Sequence, residues 1–263
     1  MNAYHTSKGL PIRLPQRYFP WVVLQTIYAT RTANQVICLN TLDQEFLIRQ
    51  GVAPEAITQL LLGVEDAILH RPPLRNEPVE VNNFLFFGTW VVRKGIRELI
   101  AATTTLMDLR PSARLTVAGF GVPPEVVKGS FPDRHRSRLN LIPKVQGSEA
   151  IAALYQQHQV LILPSVFEGQ PLVMLEAAAL GLAIVATDES GMHDFLQPDQ
   201  TGLLIPVGDE KALAAALLRL CDDPALAHRL ATAAREKVQQ YTWTHSARML
   251  LGAYEKAIQR ANI

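Results

Sequence analysis

Long apolar runs are missing from this 263-residue chain. None approaches the ~20 residues of a membrane helix, so no spanning segment is expected. The opening stretch, MNAYHTSKGLPIRLP, lacks the apolar centre of a signal peptide. Cysteine is scarce: Cys38 and Cys221 are the only two, without metal-ligand spacing, and they suit a reduced, cytosolic setting. Excess charge is missing as well. A net charge of +1 gives no reason to expect a nucleic-acid partner. The seven histidines show no metal spacing, and His193 alone falls near the end of an expected strand. There is no Walker loop, nucleophile elbow, zinc motif or Asp-x-Asp pair to clamp a divalent ion. What is present is apolar. With 48% hydrophobic and 19% charged residues the chain can fill a core, and its length allows one large domain or two small ones.

Strand-like and helix-like segments alternate along most of the chain, the pattern of a parallel α/β sheet. The beginning reads as a helix over 17–33, a strand at 36–39, a helix capped by Asn40 or Thr41 that stops at Gly51, and a strand at 57–62. A proline-rich polar stretch follows, HRPPLRNEPVEVNN, which reads as an interdomain linker. Beyond it, strands are expected at 84–87, 115–118, 139–142, 160–163, 183–186 and 203–205. Helices are expected at 95–107, 148–157, 171–180, 209–220, 224–239 and 243–258. The division is therefore a partial first domain at 1–65, a linker at 66–82, a complete Rossmann-like domain at 83–242 and a closing helix at 243–263. The first domain has only two strands and two helices, so an exposed apolar patch is expected near Trp21 and Leu24.

Chemistry concentrates in the stretch 161–181, LILPSVFEGQPLVMLEAAALG. A buried strand leads through a loop to Pro171, which suits the first turn of a helix, and Gly181 suits its left-handed cap. Glu168 stands at the helix mouth, and Glu176 lies inside an otherwise apolar helix, where burial is costly without a hydrogen-bond partner. A helix mouth also attracts anions. A ligand with hydroxyls for Glu176 and a phosphate for the mouth would satisfy both, which describes a nucleotide sugar. In FLFFGTWVVRKG, Arg93 and Lys94 sit where a helix is expected to begin and oppose its dipole; a bound anion would reconcile them, and solvated surface cations are the alternative. In LTVAGFGVPP, Gly119 and Gly121 either admit a ligand to the strand end or make a tight turn. Arg134, Arg136 and Arg138 form either a solvated loop or a contact with the membrane surface or acceptor.

Taken together, these segments resemble the retaining glycosyltransferases of family 4, the glycosyl transferases group 1, which have the two-domain GT-B fold. The stretch EGQPLVMLE is similar to their E-x7-E motif. Gly88-Thr89 followed by Lys94-Gly95 is similar to G-R-x-x-x-x-K-G, and Gly119-Phe120-Gly121 to G-x-G. Segments from Ala186 to Gly191, from Thr201 to Pro206 and around Gly63-Val64-Glu65 also match, as does the helix from Trp243. The resemblance implies that Lys94 holds the donor diphosphate and that Glu176 accepts from the ribose hydroxyls. Glu168, with the backbone of Gly169, Gln170, Pro171 and Leu172, would hold the sugar and phosphates. Thr89, Arg93, Gly119, Gly121 and Val145 complete the donor-binding set, and Glu168 and Lys94 are the implied catalytic pair. No metal, cofactor or covalent nucleophile is implied; the donor would be a UDP- or GDP-sugar, and the leaving diphosphate would take the acceptor's proton.

Two departures stand against that pattern. Thr89 replaces a common arginine, for which Arg93 could substitute, and Ser7-Lys8-Gly9-Leu10 replaces a His-Gly segment, leaving His5 as the nearby histidine. The early strands and glycine-rich loop of the family's first domain have no counterpart here, so transfer is expected to need that half, added in cis or by a partner protein. A nucleotide-binding subunit without catalysis is the rival reading. A sugar-nucleotide epimerase of related fold is a third, opposed by the E-x7-E pair.

Overall fold

In the computed structural model, residues 19–72 and 76–261 are described. They fall into two units, one running up to Leu62 and resuming at Thr244, the other Gly63–Trp243.

The smaller unit begins with helix α1 (Phe19–Thr32), strand β1 (Val36–Cys38), helix α2 (Thr41–Arg49) and strand β2 (Ile57–Gln59). Asn40 starts α2 by accepting from the Asp43 backbone N–H at 2.8 Å, and Gly51 ends it at φ 86°. Strands β1 and β2 pair in parallel, Val36 opposite Ile57, and Cys38, Val52, Ala56 and Ile57 form a small core. The outer faces stay apolar. Trp21 is 71% exposed and Leu24 59%, the patch expected from the sequence.

The larger unit contains helix α3 (Asp66–Leu69), β3 (Asn83–Phe87), α4 (Ile96–Leu109), β4 (Arg114–Ala118), α5 (Pro124–Gly129), β5 (Leu139–Ile142) and α6 (Ser148–Gln156). It continues with β6 (Val160–Leu163), α7 (Leu172–Ala179), β7 (Ala183–Thr187), α8 (Ser190–Phe195), β8 (Leu203–Ile205), α9 (Glu210–Asp222) and α10 (Pro224–Val238). The long helix α11 (Trp243–Ala261) then follows. All six strands are parallel, in the order β5-β4-β3-β6-β7-β8. Strands β6 and β7 are buried at every position, which explains their unbroken apolar sequences: helices cover both sheet faces. Phe84, Phe86, Trp90, Phe131, Leu99 and Leu106 anchor one face of the core.

Three short helices escape the sequence pattern. Within the expected linker, α3 buries Ile68 and Leu69 completely and packs against α6 and α7. Helices α5 and α8 have six residues each, too short to show a 3.6-residue period. The arginine trio lies at the surface, in an ordered turn rather than an irregular loop. Residues Asp133–Arg138 form a 3-10 turn in which Arg134 grips the Asp108 carboxylate at 2.9 and 3.0 Å, and Arg138 donates to the Met107 carbonyl at 2.8 Å. Arg136 pairs with Asp133 at 2.6 Å. The guanidinium groups of Arg134 and Arg138 tie the turn to the end of α4, and the hydrogen bond from Arg134 foremost pulls the Asp108 carboxyl down to about 2.

Candidate functional site

The chain leaves β3 toward β4 and β5 on one side, then returns to β6 and builds outward on the other. The crevice between the carboxyl ends of β3 and β6 is thus the topological switch point, where open α/β sheets bind ligands. The β3–α4 and β6–α7 loops lie at that crevice, and four contacts fasten them. The Val166 N–H donates to the Arg93 carbonyl at 2.8 Å. Arg93 Nη1 donates to the Phe167 carbonyl at 2.8 Å. Gly95 abuts Pro164: a Cβ there would lie 1.9 Å from the Pro164 carbonyl oxygen, and φ is 69°. The fourth contact is ionic, with Lys94 Nζ 2.6 Å from Glu168 Oε1 and Arg93 Nη1 3.3 Å from the same oxygen.

The cation expected to hold a diphosphate and the carboxylate expected to hold a sugar are therefore partners. Glu168 is 8% exposed, so its charge needs them. The helix expected to begin near Lys94 starts two residues after it. Residues Val92–Lys94 form a 3-10 turn, Gly95 reverses the backbone, and α4 starts at Ile96. The Lys94 side chain runs beside Gly88, where a Cβ would lie 3.8 Å from Nζ. Neighbouring Thr89 is exposed and stands about as close to Gly121. Gly119 and Gly121 adopt φ 66° and 67°, and a Cβ on Gly119 would strike the Phe87 ring at 2.8 Å, so the turn itself requires glycine at both. Val145 sits half-buried between β5 and α6.

Helix α7 opens at Pro171, which provides no side-chain cap; Gln170 and Pro171 are buried and Leu172 is 39% exposed. One turn in, Glu176 meets a different environment. The Tyr155 phenol reaches its Oε2 at 2.9 Å and the Val173 carbonyl at 3.1 Å. Burial pushes the Glu176 carboxyl up to about 7; the phenol's hydrogen bond opposes that rise and the Glu65 charge adds to it. Glu65 accepts from the Ser148 hydroxyl, one turn pair along α6 from Tyr155.

The sequence singled out the segment from Ala186 to Gly191 by resemblance but gave it no part in the site; the β7–α8 turn is the third wall. The Gly191 N–H donates to the Glu168 carbonyl at 3.2 Å, and a Cβ on Gly191 would lie 2.1 Å from the Gly169 carbonyl oxygen. Thr187 Oγ1 donates to the Ser165 carbonyl at 2.5 Å. A glycine just past a strand end was the available signal. Nearby, His193 Nδ1 lies 2.5 Å from Asp188 Oδ1, both half exposed. Among the described residues no group of three His, Cys, Asp or Glu could hold a metal ion. His5 and the segment Ser7-Lys8-Gly9-Leu10 lie outside the described residues.

Residues 81–223 match the family model of the glycosyl transferases group 1, more than half of the chain. The chain belongs to that family. Among relatives, the glycogen synthase of Mycobacterium tuberculosis is 29% identical over 228 residues, 83% of this chain and 54% of that protein. The chain thus spans about half the length of the curated relatives it matches. Sucrose-phosphate synthase from Thermosynechococcus elongatus has a solved structure that superposes with a TM-score of 0.77 at 25% identity, over 94% of this chain and 64% of that one. TarM from S. aureus, solved with UDP among its ligands, gives 0.76 at 20% identity, over 88% and 46%. These likenesses give the fold as GT-B type, with a Rossmann-like C-terminal unit. No described helix is long and apolar enough to cross a membrane.

Proposed function

We propose that this chain carries the donor half of a retaining glycosyltransferase of family 4, which moves a sugar from a UDP- or GDP-sugar to an acceptor. The observation that supports this best is the meeting of Lys94, Arg93 and Glu168 at the switch point, beside the uncapped start of α7. Cations and a helix start there suit a diphosphate. As a diphosphate draws on Lys94, half-exposed Arg93, 3.3 Å from Glu168, would remain as the partner of that carboxylate. Glu168 would then lie beside the sugar as positive charge develops on it, the kind of fixed charge that lowers a barrier without reorganisation. Glu176 would accept from the ribose hydroxyls, and the Gly119–Gly121 turn, Thr89 and Val145 would line the nucleotide. The leaving diphosphate would take the acceptor's proton, with no metal and no covalent intermediate.

Calorimetric titration with UDP, GDP, uridine and guanosine tests the assignment. The two diphosphates should bind, with or without EDTA. In Lys94→Ala their affinity should fall about 30-fold, roughly 2 kcal/mol for a charge-assisted contact, while the nucleosides change little. Equal losses for both classes would remove Lys94 from the site, and strict dependence on magnesium would overturn the metal-free mechanism. Retention is read from the anomeric configuration of the product by NMR; an inverted product rejects it.

A further inference from the structure

The β6–α7 loop buries a hydroxyl that nothing satisfies. Ser165 is fully buried, and among the described residues its Oγ finds no hydrogen-bond partner. Such a group costs stability, and alanine would fill the same place without that cost. The backbone around it is held at every step. The Ser165 carbonyl accepts from Thr187 Oγ1, and the Val166 N–H donates to the Arg93 carbonyl. The Phe167 carbonyl accepts from Arg93 Nη1, and the Glu168 carbonyl from the Gly191 N–H. With the backbone pinned, the side chains of Ser165 and Glu168 are what can still turn. Glu168 also stands to lose a partner, because Lys94, 2.6 Å from its Oε1, is the cation that a diphosphate would draw on.

We propose that Ser165 is a positioning residue, whose hydroxyl turns to donate to the Glu168 carboxylate once Lys94 turns to a diphosphate. The proposal rests on the donor-site reading above. The exchange would be a side-chain rotation within one pinned loop, between residues three apart. A carboxylate that is 8% exposed needs such a donor when its lysine leaves. Ser165 would thereby burden the empty site and support the loaded one.

Melting temperatures of the wild type, Ser165→Ala, Lys94→Met and the double variant test the exchange without any ligand. In the wild-type background Ser165→Ala should leave the melting temperature level or raise it, since it removes an unpaired hydroxyl. Beside Lys94→Met the hydroxyl is already engaged with Glu168, so the same change should lower it. Lys94→Gln replaces Lys94→Met if that variant does not fold. Calorimetry then reads the loaded state. Ser165→Ala should weaken UDP and GDP about 10-fold, as for one lost hydrogen bond to a carboxylate, and leave uridine and guanosine unchanged. A serine with a purely structural role would act alike in both backgrounds, and that result overturns the proposal. A lower melting temperature for Ser165→Ala alone overturns it too, since a bound water would then already satisfy the hydroxyl. So does unchanged affinity for UDP and GDP. If neither nucleotide binds the wild type, the donor-site reading falls, while the melting comparison still decides whether Ser165 can replace Lys94 at Glu168.

Discussion

Glu168 and Glu176 stand eight residues apart on one loop–helix segment, yet the fold treats them in opposite ways. Glu168 is buried with two cations against one of its oxygens. Glu176 is less enclosed by charge and more by apolar packing, with a neutral phenol and another carboxylate as company, so it holds its proton toward pH 7. The difference shows that a carboxylate's role follows from its neighbours rather than from its place in a motif. One is paired with cations, and the other is a titrating group near neutrality.

The largest effect should come from breaking the Glu168 side alone. Gly191→Ala places a Cβ 2.1 Å from the Gly169 carbonyl oxygen, backbone against backbone, with no flexible side chain to give way. The loss of stability should exceed the ~1–3 kcal/mol usual for overpacking. Because the displaced loop carries Glu168, the Lys94 contact should break while Tyr155 and Glu176 remain in place. Chemical denaturation, together with the tyrosine environment in the near-ultraviolet, checks both halves. Unchanged stability would show that the β7–α8 turn does not support this loop.

Much of this arrangement was legible in the sequence, and what was missed has physical reasons. The central strands β6 and β7 could be read because a parallel strand covered on both faces is apolar throughout. Helices α2, α9 and α10 announce themselves by Asn40, Asp209 and Asp223, each of which accepts a backbone N–H in the first turn. Helix α3 was hidden because four residues beside a proline-rich stretch hold too little pattern to outweigh it. The partnership of Lys94 with Glu168 spans 74 residues, and no local rule reports a pairing at that range; the cations were legible as anomalies, their partner was not. Tyr155 was invisible as a site residue for the same reason, being one aromatic among the apolar positions of α6.

A smaller effect separates the two carboxylates by pH. The folded-state value for Glu176 is about 7, against 4.5 for the free group. Between those values the folded protein keeps a proton that the unfolded chain has released, so stability falls as pH rises. The contribution is complete below about pH 4.5 and lost by the time pH passes 7, amounting to roughly 3 kcal/mol at 1.36 kcal/mol for each pH unit. Urea denaturation from pH 5 to pH 8 should show this slope in the wild type and a flatter one in Glu176→Gln. Parallel curves for the two proteins would place the titrating group elsewhere.

The smallest change sharpens the comparison most. Tyr155 has one proton and two acceptors, the Val173 carbonyl and Glu176 Oε2. With Glu176 ionised, the phenol serves best by donating to the carboxylate. With Glu176 protonated, the carboxyl can donate to the phenol oxygen while the phenol donates to Val173. The hydroxyl therefore helps both forms and the charged one more, which is why it pulls the Glu176 value downward against burial. Tyr155→Phe keeps the ring and its packing against Phe87, and should cost about 1 kcal/mol, as for one buried hydrogen bond. That cost should be greater at pH 8 than at pH 5, and the pH at which Glu176 titrates should move upward. Equal costs at both values would mean that the phenol serves the helix carbonyl alone, and that burial and Glu65 set the carboxyl without it.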